Sequence, residues 1–136
     1  QGKIFPAVLK RVGKNTDIAL LEIPGVQFKK FGTIATNPGH LTDNIFCLGD
    51  PKGEMPNSVT HGVISHEDRP NGINPKHHNV FQADCTVFFG NSGGAVLNEN
   101  GEVIGIISYM EIGDEQEGSN YSFITKLEDI KDLLNG

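Results

Sequence analysis

The chain has 136 residues, 37% of them hydrophobic, with 17 Gly, 7 Pro and no Trp, which suits one domain of many short strands and turns. A formal charge of −6 argues against nucleic acid as a main partner. No apolar run is long enough to span a membrane and no signal-peptide pattern stands at the start. The acidity is concentrated in residues 99–136, where nine acidic residues face two basic ones.

In chain order, Ile4–Leu9 reads as a strand, Val12–Thr16 as a turn, and Asp17–Ile23 as a buried strand closed by Pro24-Gly25. A shorter strand is expected near Lys30–Thr36, then a loop through Asn37–His40 and a strand at Asn44–Gly49. Ser58–Ser65 alternates polar and apolar residues as a half-buried strand does. A Pro, Asn and Gly-rich loop from about Asp68 to Pro75 leads to a strand at Asn79–Cys85. Ala95–Leu97 and Val103–Ile107 flank Asn98–Gly101, a hairpin with an Asn-Gly turn. Residues 111–120 read as an acidic loop and Tyr121–Ile124 as a last strand. Thr125 and Glu128 predict a capping box for a terminal helix with an apolar stripe of Leu127, Ile130, Leu133 and Leu134, closed by Gly136. The pattern is that of an all-β barrel or sandwich with one helix. Cys47 and Cys85, distant in sequence and inside apolar runs, read as buried free thiols rather than a disulfide.

The stretch that asks for chemistry is Gly90-Asn91-Ser92-Gly93-Gly94. Glycines at this density cost backbone entropy, and they are useful where a sharp turn must present N–H groups outward. A serine nucleophile with an oxyanion-binding backbone needs such a turn; a local glycine-rich turn is the plainer alternative. The match of Gly90-x-Ser92-x-Gly94 to a hydrolase elbow fails, because a hairpin rather than a helix follows and no histidine lies after Ser92. His40, His61, His66, His77 and His78 all lie between Asp17 and Ser92. An order of Asp, His, Ser belongs to an alternating helix–strand fold that this pattern does not support. The histidines lack zinc-ligand spacing and read as exposed loop residues, so no metal and no cofactor is expected.

Six blocks then appear in succession: Asp17–Ile23, Leu48–Gly53, Val59–Ser65, Phe81–Asp84, Gly90–Asn98 and Asn100–Ile106. Together they resemble the trypsin-like serine proteases of the HtrA (DegP) type. The resemblance implies a chymotrypsin-like double β-barrel, with residues 1–35 as the last strands of the first barrel and 36–136 as the complete second barrel and terminal helix, and no PDZ domain after Gly136. It implies Asp17 as the triad acid, Ser92 as the nucleophile and the N–H groups of Gly90 and Ser92 as the oxyanion hole. Physical sense agrees, since an aspartate opening an apolar strand is poised for partial burial and needs donors such as a histidine N–H. The family's histidine falls upstream of Gln1. A missing N-terminal segment is therefore expected to supply it, and the 136 residues alone are expected to be inactive.

The resemblance also implies a serine endopeptidase whose polypeptide substrate binds as an added strand beside Ile106–Met110. Val87 and Met110 would wall the pocket for the residue before the scissile bond, with Ile106 beside them. Thr86 stands where trypsin keeps an aspartate, so a medium aliphatic residue is expected there rather than Lys or Arg. Phe88 and Phe89 depart from the smaller or polar residues common in the family, and would gate the site or rest against a missing segment. The acidic loop, with Glu111, Asp114, Glu115 and Glu117, either favours basic residues in the substrate or is simply solvated; its spacing is not that of an EF-hand. Trimers are usual for the family, which leaves a homo-oligomer open. The alternative function is a non-catalytic relative that binds extended peptides in the same groove.

Overall fold

Strands and turns alternate along the chain until a single terminal helix in the computed structural model, which describes residues 3–50, 53, 54, 56–87, 90–112 and 120–136. The strands are β1 (Val8–Val12), β2 (Ala19–Glu22), β3 (Asn44–Gly49), β4 (Ser58–Arg69), β5 (Val80–Ala83), β6 (Ala95–Leu97), β7 (Val103–Ile112) and β8 (Asn120–Lys126), followed by α1 (Leu127–Asn135). β1 and β2 form a two-stranded antiparallel sheet, whereas β3-β4-β5-β8-β7-β6 close into a barrel.

Alternation explains the barrel. Ile45 and Cys47 of β3, Ile64 of β4, Phe81 and Ala83 of β5, Val96 of β6, Ile104 and Ile107 of β7 and Ile124 of β8 all point into one core. Burying an isoleucine of this kind contributes about 1.5–3 kcal/mol, and closure gives each barrel strand a partner on both sides. Cys47 and Cys85 are free thiols within this core, as expected. The Cys47 thiol donates toward Cys85 and is buried, which pushes its ionisation far up, while the same contact lowers that of Cys85. The Asn98–Gly101 turn joins β6 to β7 as expected, with Gly101 at φ +75° and its N–H on the Asn98 carbonyl at 3.0 Å.

Several local expectations give way. The first strand lies at Val8–Val12 rather than Ile4–Leu9. The expected buried strand from Asp17 is β2, which is short and largely exposed, with Leu21 59% accessible. Among the described residues, only Leu20 of its apolar side chains is even partly covered. Near Lys30–Thr36 there is no strand but a single parallel bridge, Ile34 to Val103, flanked by hydrogen bonds from Val103 N–H to Thr33 and from Ala35 N–H to Val103. That segment contributes one buried residue, Ala35, to the core and has no run of alternation to extend the pairing. β4 continues to Arg69 and β7 to Ile112, so the loops at both ends are shorter than predicted.

The capping box does not form. Thr125 is buried in β8, Lys126 is the residue before the helix in extended conformation, and no side chain caps α1. Pairing with β7 draws the chain through Thr125 and Lys126 as strand, which removes the threonine from the cap position. Leu127 and Ile130 are buried as the stripe predicts, Leu133 is half-buried, and Leu134 is 43% exposed. No described helix is long and apolar enough to cross a membrane.

Candidate active site

The serine loop sits where β3 ends and β6 begins. Gly90 and Gly93 adopt φ of +98° and +90°, a region that a Cβ makes costly. Gly94 is required for a different reason. A Cβ there would lie 2.0 Å from the Leu48 carbonyl oxygen, which is backbone and cannot yield. The loop is tied by hydrogen bonds from Gly94 N–H to Asn91 O at 2.9 Å, Gly93 N–H to Ile107 O at 2.8 Å and Ile107 N–H to Gly94 O at 2.9 Å. Ser92 is thereby exposed at the crest of a turn fastened to β7, while Asn91 is buried against Gly49. Asn91 Oδ1 is buried and has no hydrogen-bond partner among the described residues.

Asp17 arrives from the other sheet. Its Oδ2 accepts a hydrogen bond from Ser108 Oγ at 2.8 Å. Ser108 follows Ile107, the residue that holds the serine loop, and stands at an irregularity in the β7–β8 pairing between Ile107 and Tyr109. Such a bulge re-aims a side chain out of strict alternation. The structure thus gathers Asp17 and the turn bearing Ser92 onto two consecutive residues of β7. Asp17 itself is exposed, contrary to the partial burial expected of it.

Ser108 was not among the sequence candidates. Its signal was a small hydroxyl side chain in the apolar run Val103–Met110, which alternation alone reads as a solvent-facing position. Of the residues expected to wall a pocket, Val87 is 3% exposed in the barrel core, Met110 packs against that core, and Ile106 is half-buried opposite Ala95 and Thr125. Met110 also lines a cavity of about 560 Å³ with Tyr109, whose hydroxyl accepts from Gly72 N–H at 2.8 Å and whose ring stacks on Phe123. Thr86 is exposed. Phe88, Phe89, Asp114, Glu115 and Glu117 lie outside the described residues.

The histidines are not all in loops. His61 and His66 belong to β4; the His61 ring stacks on Phe46, and its Nε2 meets Asn44 Oδ1 at 3.0 Å. His78 pairs with Asp129 of α1, Nδ1 to Oδ1 at 2.7 Å. Alternation along β4 decides the first two, and a tertiary contact decides the third. Among the described residues, no cluster of His, Cys, Asp and Glu has the arrangement of a metal site.

A family model described as trypsin-like peptidase domain matches residues 1–106. The chain is 35% identical over 112 residues to the serine protease HTRA2, mitochondrial, of Drosophila pseudoobscura pseudoobscura, covering 79% of this chain and 26% of that protein. It is 36% identical to the protein of the same name from Drosophila persimilis, with the same coverage. The putative protease Do-like 14 of Arabidopsis thaliana is 35% identical, with 77% of this chain and 25% of that protein covered. The chain therefore spans about a quarter of the length of these relatives. Barrel, serine loop and relatives agree: the chain belongs to the trypsin-like peptidase domain family, in its HtrA-type branch.

Proposed function

We propose that this chain is the Asp- and Ser-bearing part of a serine endopeptidase, completed by a histidine from a segment upstream of Gln1. The observation that carries the reading is the convergence on β7: Ser108 holds Asp17, and Ile107 holds the turn after Ser92. In this reading Ser92 Oγ attacks the peptide carbonyl, an imidazole held by Asp17 takes its proton, and the Gly90 and Ser92 N–H groups bind the oxyanion. Among the described residues no backbone carbonyl accepts from either of those N–H groups. Residues 1–35 are then the last strands of a first barrel. Its remaining strands would cover Val8, Leu9, Val12 and Leu21, all at least 50% exposed here. A polypeptide would lie as an added strand beside Ile106–Met110, along the part of β7 past Ile106 that β6 does not pair, with a medium aliphatic side chain in a pocket walled by Val87 and Met110.

Fluorophosphonate labelling tests the reading. In a longer form carrying the upstream segment, Ser92 should be labelled and an extended peptide hydrolysed. Ser92→Ala should abolish both, lowering turnover by about 10⁶, and Asp17→Asn should lower it by about 10⁴. The 136-residue chain alone should remain unlabelled. Peptide binding by the longer form without labelling or hydrolysis would overturn the proposal in favour of a non-catalytic peptide-binding domain.

A further inference from the structure

The β1–β2 hairpin makes no ladder with the barrel, so its place over β7 must be set by something else. Among the described residues, its hydrogen bonds to the rest of the chain run through Arg11, Asn15 and Asp17. Arg11 Nη1 donates to the carbonyls of Leu133 and Leu134, at the C-terminal end of α1. Those carbonyls have no partner within the helix and carry the negative end of its dipole, so a guanidinium suits them doubly. At the other end of the same helix, Asp129 is 6% exposed and its Oδ1 lies 2.7 Å from His78 Nδ1. The His78 backbone N–H in turn donates to the Asn15 carbonyl at 2.8 Å. Asn15 holds the left-handed conformation at φ +62°, two residues before Asp17.

We propose that His78 and Asp129 act as positioning residues for the active site, forming with Arg11 a latch through which the C-terminal helix sets where Asp17 sits against Ser108. The inference rests on the catalytic reading of Asp17 given above. Asp129 is buried, so its carboxylate is a fixed point supported by helix packing, and His78 converts that point into a backbone anchor on the hairpin. With its carboxylate held by Ser108 and its turn held at Asn15 by this latch, Asp17 is oriented before any histidine arrives, which is what an orienting acid in a triad requires. The residues of the latch touch neither Ser92 nor its turn, so they act through Asp17 alone.

The test combines two readouts. In the 136-residue chain, His78→Ala should speed amide hydrogen exchange at Gly13 and across β1–β2 by tenfold or more, with β3–β8 amides unchanged. His78→Asn, whose amide nitrogen can replace Nδ1 as the donor to Asp129, should restore the slow rates. In the longer form, His78→Ala and Asp129→Ala should each lower kcat by tenfold or more at unchanged KM and unchanged barrel exchange, with His78→Asn again restoring it. Unchanged exchange in the hairpin, or an equal loss with His78→Asn, would overturn the latch. Ser92→Ala and Asp17→Asn run alongside separate the two ideas: if those variants keep full activity the catalytic reading fails, whereas the exchange arm still decides the latch. In a longer form whose activity Ser92→Ala abolishes, an exchange effect of His78→Ala without a kcat effect would overturn the link from latch to catalysis.

Discussion

The barrel and the hairpin are built from the same apolar residue types, yet they bury them very differently. In β3–β8 the side chains Ile45, Ile64, Ile104, Ile107 and Ile124 are at most 2% exposed. In β1–β2, Val8, Leu9, Val12 and Leu21 are 50–66% exposed on a ribbon of two strands. A barrel closes on itself and satisfies its own edges, whereas two strands have no inside to share. Apolar composition alone does not secure burial; closure decides where it is achieved. The active-site candidates straddle this divide, with Asp17 on the open hairpin and Ser92 on the closed barrel.

The contrast can be broken most strongly in the barrel. Ile64→Ala should cost about 2–5 kcal/mol by urea unfolding, while Leu21→Ala in the 136-residue chain should change stability by less than about 0.5 kcal/mol. Comparable losses at both positions would mean that the hairpin is covered even here. Gly94→Ala should come next, at about 1–3 kcal/mol, since its Cβ would meet the Leu48 carbonyl oxygen and the backbone must move; the same variant in the longer form should lose Ser92 labelling. Leu21→Asp should be nearly neutral in the 136-residue chain and destabilising in the longer form, as followed by thermal melting. Equal effects in the two forms would show that the upstream segment does not pack on the hairpin.

The smallest effect is electrostatic. Lys126, with help from Asn79, lowers the ionisation of Asp68, which is well exposed. Because the folded value is depressed, the stabilisation is present above the ordinary carboxylate range and is lost as pH falls through the folded value. An acid titration of melting temperature for Asp68→Asn should therefore differ slightly from wild type near neutrality and converge with it in acid. Solvent screening keeps that difference near the limit of measurement.

The barrel was legible because two-residue alternation and an Asn-Gly turn are local signals, and because Ser92 stands among glycines that only a sharp turn requires. The error at the helix start was local as well: Thr125 and Glu128 have the chemistry of a cap, but β7 claims Thr125 for its own ladder. The false strand near Lys30 arose from apolar residues that have no partner of sufficient length. Ser108 and the His78–Asp129 pair were invisible for another reason. Their partners lie 91 and 51 residues away in sequence, and nothing in their immediate neighbours announces them.

What the sequence determined by itself was therefore most of the barrel strands, the glycine-rich turn and the order of its Asp, His and Ser residues, all of which follow from short-range sterics and residue spacing. Tertiary structure alone decided that Asp17 meets β7 through Ser108, that Asp17 remains exposed, and that His78 faces a buried carboxylate. Those outcomes depend on which distant strands share a face once the barrel has closed, and side-chain chemistry read along a line does not encode that geometry.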